Sequence, residues 1–264
     1  MFGETFEAAW QKRFGSEAGF SLDEIGPLLA HRSVRRFADQ PIPESMVQGL
    51  VAAAQSAATS SNLQSWSVVS VKDSAKRAAL AEACGNQKQV QTAPIFFAFL
   101  ADLHRLSEYA GEVPSGLDTI EMYTVAVIDA ALAAERMVCA AEALGFGICY
   151  IGGLRNHPDT VKDLLRLPER VTPVFGLCIG VPAETAHAEI KPRLRQDQVW
   201  FEDVYGESLD PNEYDSRAGE FFGSQGMATD LPWSQKNASR TRDEGLSGRE
   251  KLLEFLNKQG LAKR

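Results

Sequence analysis

What this sequence lacks narrows its chemistry before any motif is found. Its four cysteines, Cys84, Cys139, Cys149 and Cys178, form no CxxC pair, and no histidine sits near them at metal-finger spacing. Zinc ribbons and dithiol redox motifs are thereby excluded, and no metal site is expected. Cys149 and Cys178 lie in the apolar runs "GICYIGG" and "GLCIGV", which reads as reduced, buried thiols of a cytoplasmic protein. Histidine is scarce too: His31, His104, His157 and His187 are scattered, and HExxH is absent. There is no GxxxxGK[ST] phosphate loop and no GxSxG nucleophile elbow. Gly145-Phe146-Gly147 precedes an apolar run instead of following one, and Tyr150 stands where a dinucleotide fingerprint needs its third glycine.

Long charge-free apolar runs are missing as well, so no segment is expected to span a bilayer. The start, "MFGETFEAAWQKRFG", mixes acids and bases and has no apolar h-region, so it is no signal peptide. Its Phe2, Phe6, Trp10 and Phe14 recur every four residues. That spacing predicts a short amphipathic helix that docks on its own protein or on a dimer partner, not on a membrane. Positive charge is in deficit, with 27 Lys and Arg against 35 Asp and Glu and a net charge of −8, which argues against a nucleic-acid binder.

What is present reads as alternating helices and buried strands in a chain of 264 residues, long enough for a substantial core. Helices are expected over 44–58, 74–84, 118–144 and 157–167, the last with Pro158 near its first position and the third closed by Gly145. "SWSVVSVK" (65–72) alternates as a strand, and "APIFFAFLA" (93–101), 146–153 and 173–181 read as strands buried on both faces. The alanine-rich 118–144 helix is expected to be central and able to form a dimer core. Residues 206–246, rich in Gly, Ser and Asp, read as an arm or lid and not as a second core. "SGREKLLEFL" restarts a helix with a capping box of Ser247 and Glu250. With no repeat and no clear domain boundary, this alternation makes a layered α/β domain the default.

Against the acidic background, "HRSVRRF" (31–37) packs His31, Arg32, Arg35 and Arg36 together, and "KPRLR" adds Lys191, Arg193 and Arg195. Like charges so placed need an anion or fixed carboxylates nearby. In an extended segment stiffened by Pro192, Lys191 and Arg193 face one side. Arg32 and Arg35, with the Ser33 hydroxyl, offer donors suited to a phosphate monoester. Either cluster alone is equally a solvated face or a set of salt bridges. "TSSNLQSW" (59–66) supplies small hydroxyls and amides between a helix and a strand, and "YIGG" (150–153) ends a buried strand where backbone can approach a flat ligand.

In order and spacing, "HRSVRRF", "TSSNLQSW", "GNQKQV", "YIGGLRN", "LPERVTPVFGLCIGVPAE" and "KPRL" resemble the nitroreductase/flavin reductase family. The resemblance is to its A-type oxygen-insensitive NAD(P)H nitroreductase, flavin reductase P-like branch, and runs from about residue 24 to the C-terminus. It implies an α+β, three-layer nitroreductase fold: a mixed central sheet flanked by helices, with the long helix at a dimer interface. It implies a single FMN-binding domain over 1–264, with 1–23 an N-terminal extension. It implies a homodimer with FMN sites between subunits. Carried over position by position, it assigns to FMN His31, Arg32, Ser33 and Arg35, then Thr59, Ser60 and Asn62. Gln87 follows, then Tyr150, Ile151, Gly152 and Gly153, and finally Lys191 and Arg193. Thr59 stands where the family often has Ser, and the hydroxyl is kept. The basic residues then serve the FMN phosphate and the edge of the ring that gains charge on reduction. No side chain is expected to act as catalytic acid, base or nucleophile, because the flavin carries the chemistry.

The implied activity is an FMN-dependent NAD(P)H oxidoreductase: ping-pong, two-electron reduction of a small acceptor such as a nitroaromatic, a quinone or free flavin. The alternative is a flavin-binding or sensing protein of the same fold without turnover. One departure bears on the donor. NADPH-preferring members of the family carry basic residues just before the tryptophan matching Trp233, whereas "GSQGMATDLPW" has none and carries Asp230. Weaker NADPH preference, or use of NADH, follows unless Arg217, Arg240 or Arg242 compensates.

Overall fold

The structure, a computed structural model, describes residues 4–207, 210–227 and 230–264. Phe2, and Ser208, Leu209, Ala228 and Thr229 of the expected arm, lie outside the described residues. In chain order the helices are α1 (Phe6–Phe14), α2 (Gly26–Leu29), α3 (Glu44–Gln55), α4 (Ser74–Ala83), α5 (Lys88–Thr92), α6 (His104–Tyr109), α7 (Ile120–Ala143), α8 (Pro158–Leu165), α9 (Asn212–Ser224), α10 (Trp233–Arg240) and α11 (Leu252–Lys258). The strands are β1 (Trp66–Ser70), β2 (Ile95–Asp102), β3 (Gly147–Ile151) and β4 (Val171–Gly180). By contact density the chain forms two compact units, Met1–Ser33 with His187–Leu246, and Val34–Ala186 with Ser247–Arg264.

The second unit holds the sheet, in strand order β1-β2-β4-β3. Successive residues of β2 point to opposite faces, and both faces are buried. Phe97 and Phe99 join one apolar cluster with Leu50 of α3, Ala130 and Met137 of α7, and Leu177. Phe96, Ala98 and Leu100 join another with Leu80 of α4, Val161 of α8, and Cys178. The result is an α+β layer of helices, sheet and helices. All three strand pairs are antiparallel, where a mixed sheet was expected. Continuous apolar runs report burial on two faces and carry no information about strand direction. The α7 helix ends as expected, with Gly145 at φ 84° just past its last turn. All four cysteines are free thiols, three of them buried. Burial pushes the Cys84 thiol up to about 12 and raises that of Cys178 as well.

One local expectation fails. Ser247 and Gly248 both take left-handed backbone (φ 57° and 92°), and the chain re-enters helix through a 3₁₀ turn at Arg249–Lys251 before α11. Neither turn has a side-chain cap, so the Ser247/Glu250 capping box does not form. A side-chain cap needs an extended N-cap residue, and the left-handed pair removes that geometry.

In the first unit, α1 buries Phe6, Ala9 and Trp10. Phe6, Trp10, Phe14 and Phe20 form a ring cluster with centroids 4.5–5.7 Å apart. The expected amphipathic helix therefore docks on its own chain. Residues 206–246 carry α9 and α10, joined by an edge-to-face contact of Tyr214 on Trp233 at 4.8 Å. Ser234 donates to Asp215 through both its amide (2.8 Å) and its hydroxyl (2.5 Å).

Candidate functional site

The candidate residues divide between the two units. His31, Arg32, Ser33, Lys191 and Arg193 belong to the first. Arg32 is buried, donates through Nε to the Ala30 carbonyl at 3.1 Å, and pairs with Glu4 at 2.6 Å. Burial pushes the Glu4 carboxyl up, but the Arg32 hydrogen bond and charge outweigh it, so it titrates below the usual carboxylate range. The segment 187–195 is irregular and Pro192 is buried, its carbonyl accepting from the Tyr214 hydroxyl at 3.0 Å. Lys191 Nζ lies 5.6 Å over the Phe222 ring, while Arg193 turns back on the carbonyls of Lys191 and Pro192, each at 3.2 Å. The two cations thus rest on different supports, although they share a short stiffened segment.

One buried residue absent from the sequence expectations ties these stretches down. Arg13, only 5% exposed, donates to the carbonyls of Leu29 (2.9 Å), His31 (2.5 Å) and Lys191 (2.9 Å). Its own carbonyl accepts from the Arg193 amide at 2.8 Å and from Arg217 at 3.1 Å. Nothing in the helical spacing of "WQKRF" separates such an arginine from a solvated one. Arg217 is itself engaged by Glu213 and by the Arg193 carbonyl at 3.1 Å, so it is committed to holding this unit together. A cavity of about 440 Å³ in the same unit is lined by Lys236, Ser239, Arg240, Arg242 and Glu244, among others. Arg240 donates there to the Gly245 carbonyl.

The second unit holds Arg35, Thr59, Ser60, Asn62, Gln87, Tyr150, Ile151, Gly152 and Gly153. Arg35 is exposed on a stretch fixed by backbone bonds, Val34 N–H to Ile148 (2.8 Å) and Ala38 N–H to Val181 (2.8 Å). The polar loop contains three left-handed residues, Ser61, Asn62 and Gln64, at φ 48–55°. Such backbone is uncommon outside glycine and persists where surroundings over-determine it. The support here is Asp129 of α7, fully buried. One carboxylate oxygen accepts from the Ser60 amide (3.0 Å), and the other from the Ser65 amide (3.0 Å) and hydroxyl (2.8 Å). Two turns further along α7, Glu135 accepts from the Tyr150 hydroxyl at 3.1 Å. Burial first, and then Glu135, raises the Tyr150 phenol well above its ordinary range. One helix therefore supports both the loop and the end of β3.

Past β3 the chain turns through a 3₁₀ segment, Gly152–Arg155. A Cβ on Gly153 would sit 2.5 Å from the Cys84 carbonyl and 2.8 Å from Gln87 Nε2, so only glycine fits and Gln87 is brought against this turn. Gln87 donates to the Cys84 carbonyl at 3.0 Å and accepts from Gln89 at 2.9 Å. Gly152 is less crowded: a Cβ there would make only ordinary contact with the guanidinium nitrogens of Arg155 and Arg249, both at 3.9 Å. Arg249 is held by Asn156 at 2.9 Å, and Arg155 donates to the Val174 carbonyl. Arg155 lies inside the quoted "YIGGLRN", but Arg249 comes from the far C-terminal segment and had no sequence signal beyond its charge. Among the described residues no cluster of His, Cys, Asp and Glu suits a metal ion, and no helix is long and apolar enough to cross a membrane.

Comparison with known proteins bears on this arrangement. The profile of the nitroreductase family matches residues 28–181, and that of the nitroreductase family's C-terminal domain matches 191–264. An FMN reductase (NADPH) of Bacillus subtilis (strain 168) is 42% identical over 207 residues, covering 75% of this chain and 82% of that protein. An oxygen-insensitive NADPH nitroreductase of Salmonella typhimurium is 37% identical over 240 residues, 90% of this chain and 97% of the relative. The solved structure of an NADPH:FMN oxidoreductase from Vibrio harveyi, complexed with NAD+, superposes with a TM-score of 0.80 at 36% identity, covering 91% of this chain and 99% of that one.

Proposed function

The chain belongs to the nitroreductase family, and from that premise we propose that it is an FMN-dependent NAD(P)H oxidoreductase. Its cycle is ping-pong: a reduced nicotinamide gives two electrons and leaves, and a nitroaromatic, a quinone or free flavin then accepts them. The observation that carries this reading is the match to NADPH-dependent FMN reductases and nitroreductases over most of both chains.

The donor set fits the cofactor. Guanidinium and ammonium groups of Arg32, Lys191 and Arg193 suit a phosphate and the electron-rich edge of a ring. Hydroxyl and amide groups of Thr59, Ser60 and Asn62 stand on an over-determined loop. Gly152, with no side chain of its own, leaves its backbone approachable by a flat ring, with the Arg155 and Arg249 guanidinium groups close by. His31, Ser33 and Arg35, with Gln87, Tyr150, Ile151 and Gly153, complete the assignment.

When bound, FMN supplies the two-electron chemistry between nicotinamide and acceptor. The chain's own residues hold, orient and compensate charge. Asp129 fixes the loop amides, burial and then Glu135 keep the Tyr150 phenol protonated while Glu135 orients it, and Arg155 and Arg249 put positive charge beside the Gly152 backbone. No side chain of these sets is assigned a role as nucleophile or general base, because the flavin carries the chemistry and the chain supplies orientation and electrostatics.

The protein works as a homodimer in the cytoplasm. The free thiols, three of them buried, support the compartment. The face of α7 that exposes Ile120, Ile128 and Leu132 supports the dimer. The whole chain is one functional domain, its N-terminal extension and its α9–α10 arm included.

An anaerobic visible spectrum, taken before and after NADH and separately NADPH, tests the reading. A flavin spectrum that bleaches is expected. A flavin spectrum that persists with both nucleotides identifies a flavin-binding or sensing protein without turnover, and a colourless protein that refuses added FMN overturns the assignment.

A further inference from the structure

Every cationic candidate of the first unit except Arg193's side chain is bonded, directly or through its own carbonyl, to residues 4–13. These lie upstream of the family match, which begins at residue 28. Glu4 takes Arg32 at 2.6 Å. Arg13 takes the carbonyls of His31 and Lys191, and its own carbonyl takes the Arg193 amide. A buried guanidinium is a poor stability device, since desolvation opposes it and an apolar side chain of similar volume serves packing as well or better. The apolar residues Phe6, Ala9 and Trp10 already dock α1. What Arg13 adds is geometry. Its planar fork directs donors along fixed lines, and those lines end on three carbonyls from two distant stretches, 29–31 and 191.

Resting on the FMN reading above, we infer that α1 is an internal clamp for the cofactor's cations. Arg13 is its positioning residue, holding the backbone of His31–Arg32 and of Lys191–Arg193 in the register that FMN requires. Arg13 does not touch the cofactor. It acts through the two segments that do.

The test uses the full chain freed of flavin and titrated with FMN, followed by the potential of the bound flavin and by thermal unfolding. Arg13→Gln is expected to weaken FMN binding roughly tenfold, the scale of one lost hydrogen bond to a charged group. The bound flavin's potential is expected to fall as the cations move off its ring. Arg13→Lys keeps the charge without the fork and is expected to recover part of both. If Arg13→Gln fails to fold, Arg13→Lys still carries the test through its potential and affinity. Ala9→Gly is the packing control: Ala9 is fully buried against Ala30 and Ile190. It is expected to lower the melting temperature while leaving FMN affinity within about twofold, because glycine weakens the helix and leaves the fork intact. Wild-type affinity and potential in both Arg13 variants overturn the inference, as does an Ala9→Gly protein that loses as much affinity as Arg13→Gln. A wild-type chain that takes up no FMN is a different result, and it overturns the function reading itself.

Discussion

Asp129 shows how one buried residue can hold a polar loop in place. On α7 it is a charge in an apolar helix, and the sequence marks it as no more than that. Its partners, Ser60 and Ser65, lie more than sixty positions upstream, and no periodicity reports a contact of that range. The loop's hydroxyls and amides were legible because small polar residues between a helix and a strand are a local pattern; their anchor was not. Asp129→Asn replaces one acceptor oxygen by an amide that faces donors. It is expected to cost about 2–3 kcal/mol in denaturant unfolding, since a buried donor is left facing a donor. A loss below about 0.5 kcal/mol would mean the loop is held by something else. The thiols give a second, pH-dependent expectation. Cys84 is neutral in the fold up to about 12 and ionises near its ordinary 9 when unfolded. The folded state keeps its proton longer, so this contribution is complete below about pH 9 and is lost as pH rises from 9 toward 12. Cys84→Ala is therefore expected to flatten the alkaline limb of the stability curve. Equal limbs in wild type and variant would contradict it.

At the level of elements, the helices and strands were readable where local rules decide. The buried strands announce themselves as apolar runs, Pro158 opens α8, and Gly145 closes α7. The reading failed where the answer depends on partners. Strand direction and the left-handed turn at Ser247–Gly248 are set by tertiary context, not by the residues themselves. The α7 helix itself refines the dimer expectation. The sequence pointed to its alanines as the surface for a second helix. The structure buries Ala126, Ala130, Ala133 and Ala134 against this chain's own core, and exposes Ile128 (50%) and Leu132 (44%), four positions apart on one face. A dimer through α7 thus rests on the branched residues. Ile128→Glu with Leu132→Lys is expected to shift the protein to monomer by light scattering, with the fold intact by circular dichroism. A dimer that survives both changes would move the interface elsewhere.

For the whole molecule, one boundary between the two units, after Ala186, falls in the gap between the two family profiles, which end at 181 and resume at 191, whereas the second profile runs on past the later boundary at Leu246. The expectation of one acidic chain with local patches of positive charge holds in both units: Arg13, Arg32 and Lys191 in one, Arg155 and Arg249 in the other. This pattern bears on the choice of electron donor. A 2′-phosphate distinguishes NADPH from NADH, and each charge-assisted contact to it is worth about 1.5–3 kcal/mol, or more than tenfold in binding. The loop before Trp233 offers no cation and carries Asp230, while Ala228 and Thr229 within it lie outside the described residues. Of the three compensating arginines, Arg217 is spent on Glu213 and on the carbonyls of Arg13 and Arg193. Arg240 is turned to the Gly245 carbonyl. Arg242 lines a cavity with Lys236, but Glu244 shares that lining and offsets part of its charge. Among the described residues, these three arginines therefore do not form a full charge-assisted set for the extra phosphate. The ratio of kcat/KM for NADPH over NADH is expected to stay below about tenfold, the value of a single such contact. A larger ratio would place the phosphate on Lys236 and Arg242. Arg242→Gln would then lower NADPH turnover selectively and leave NADH unchanged.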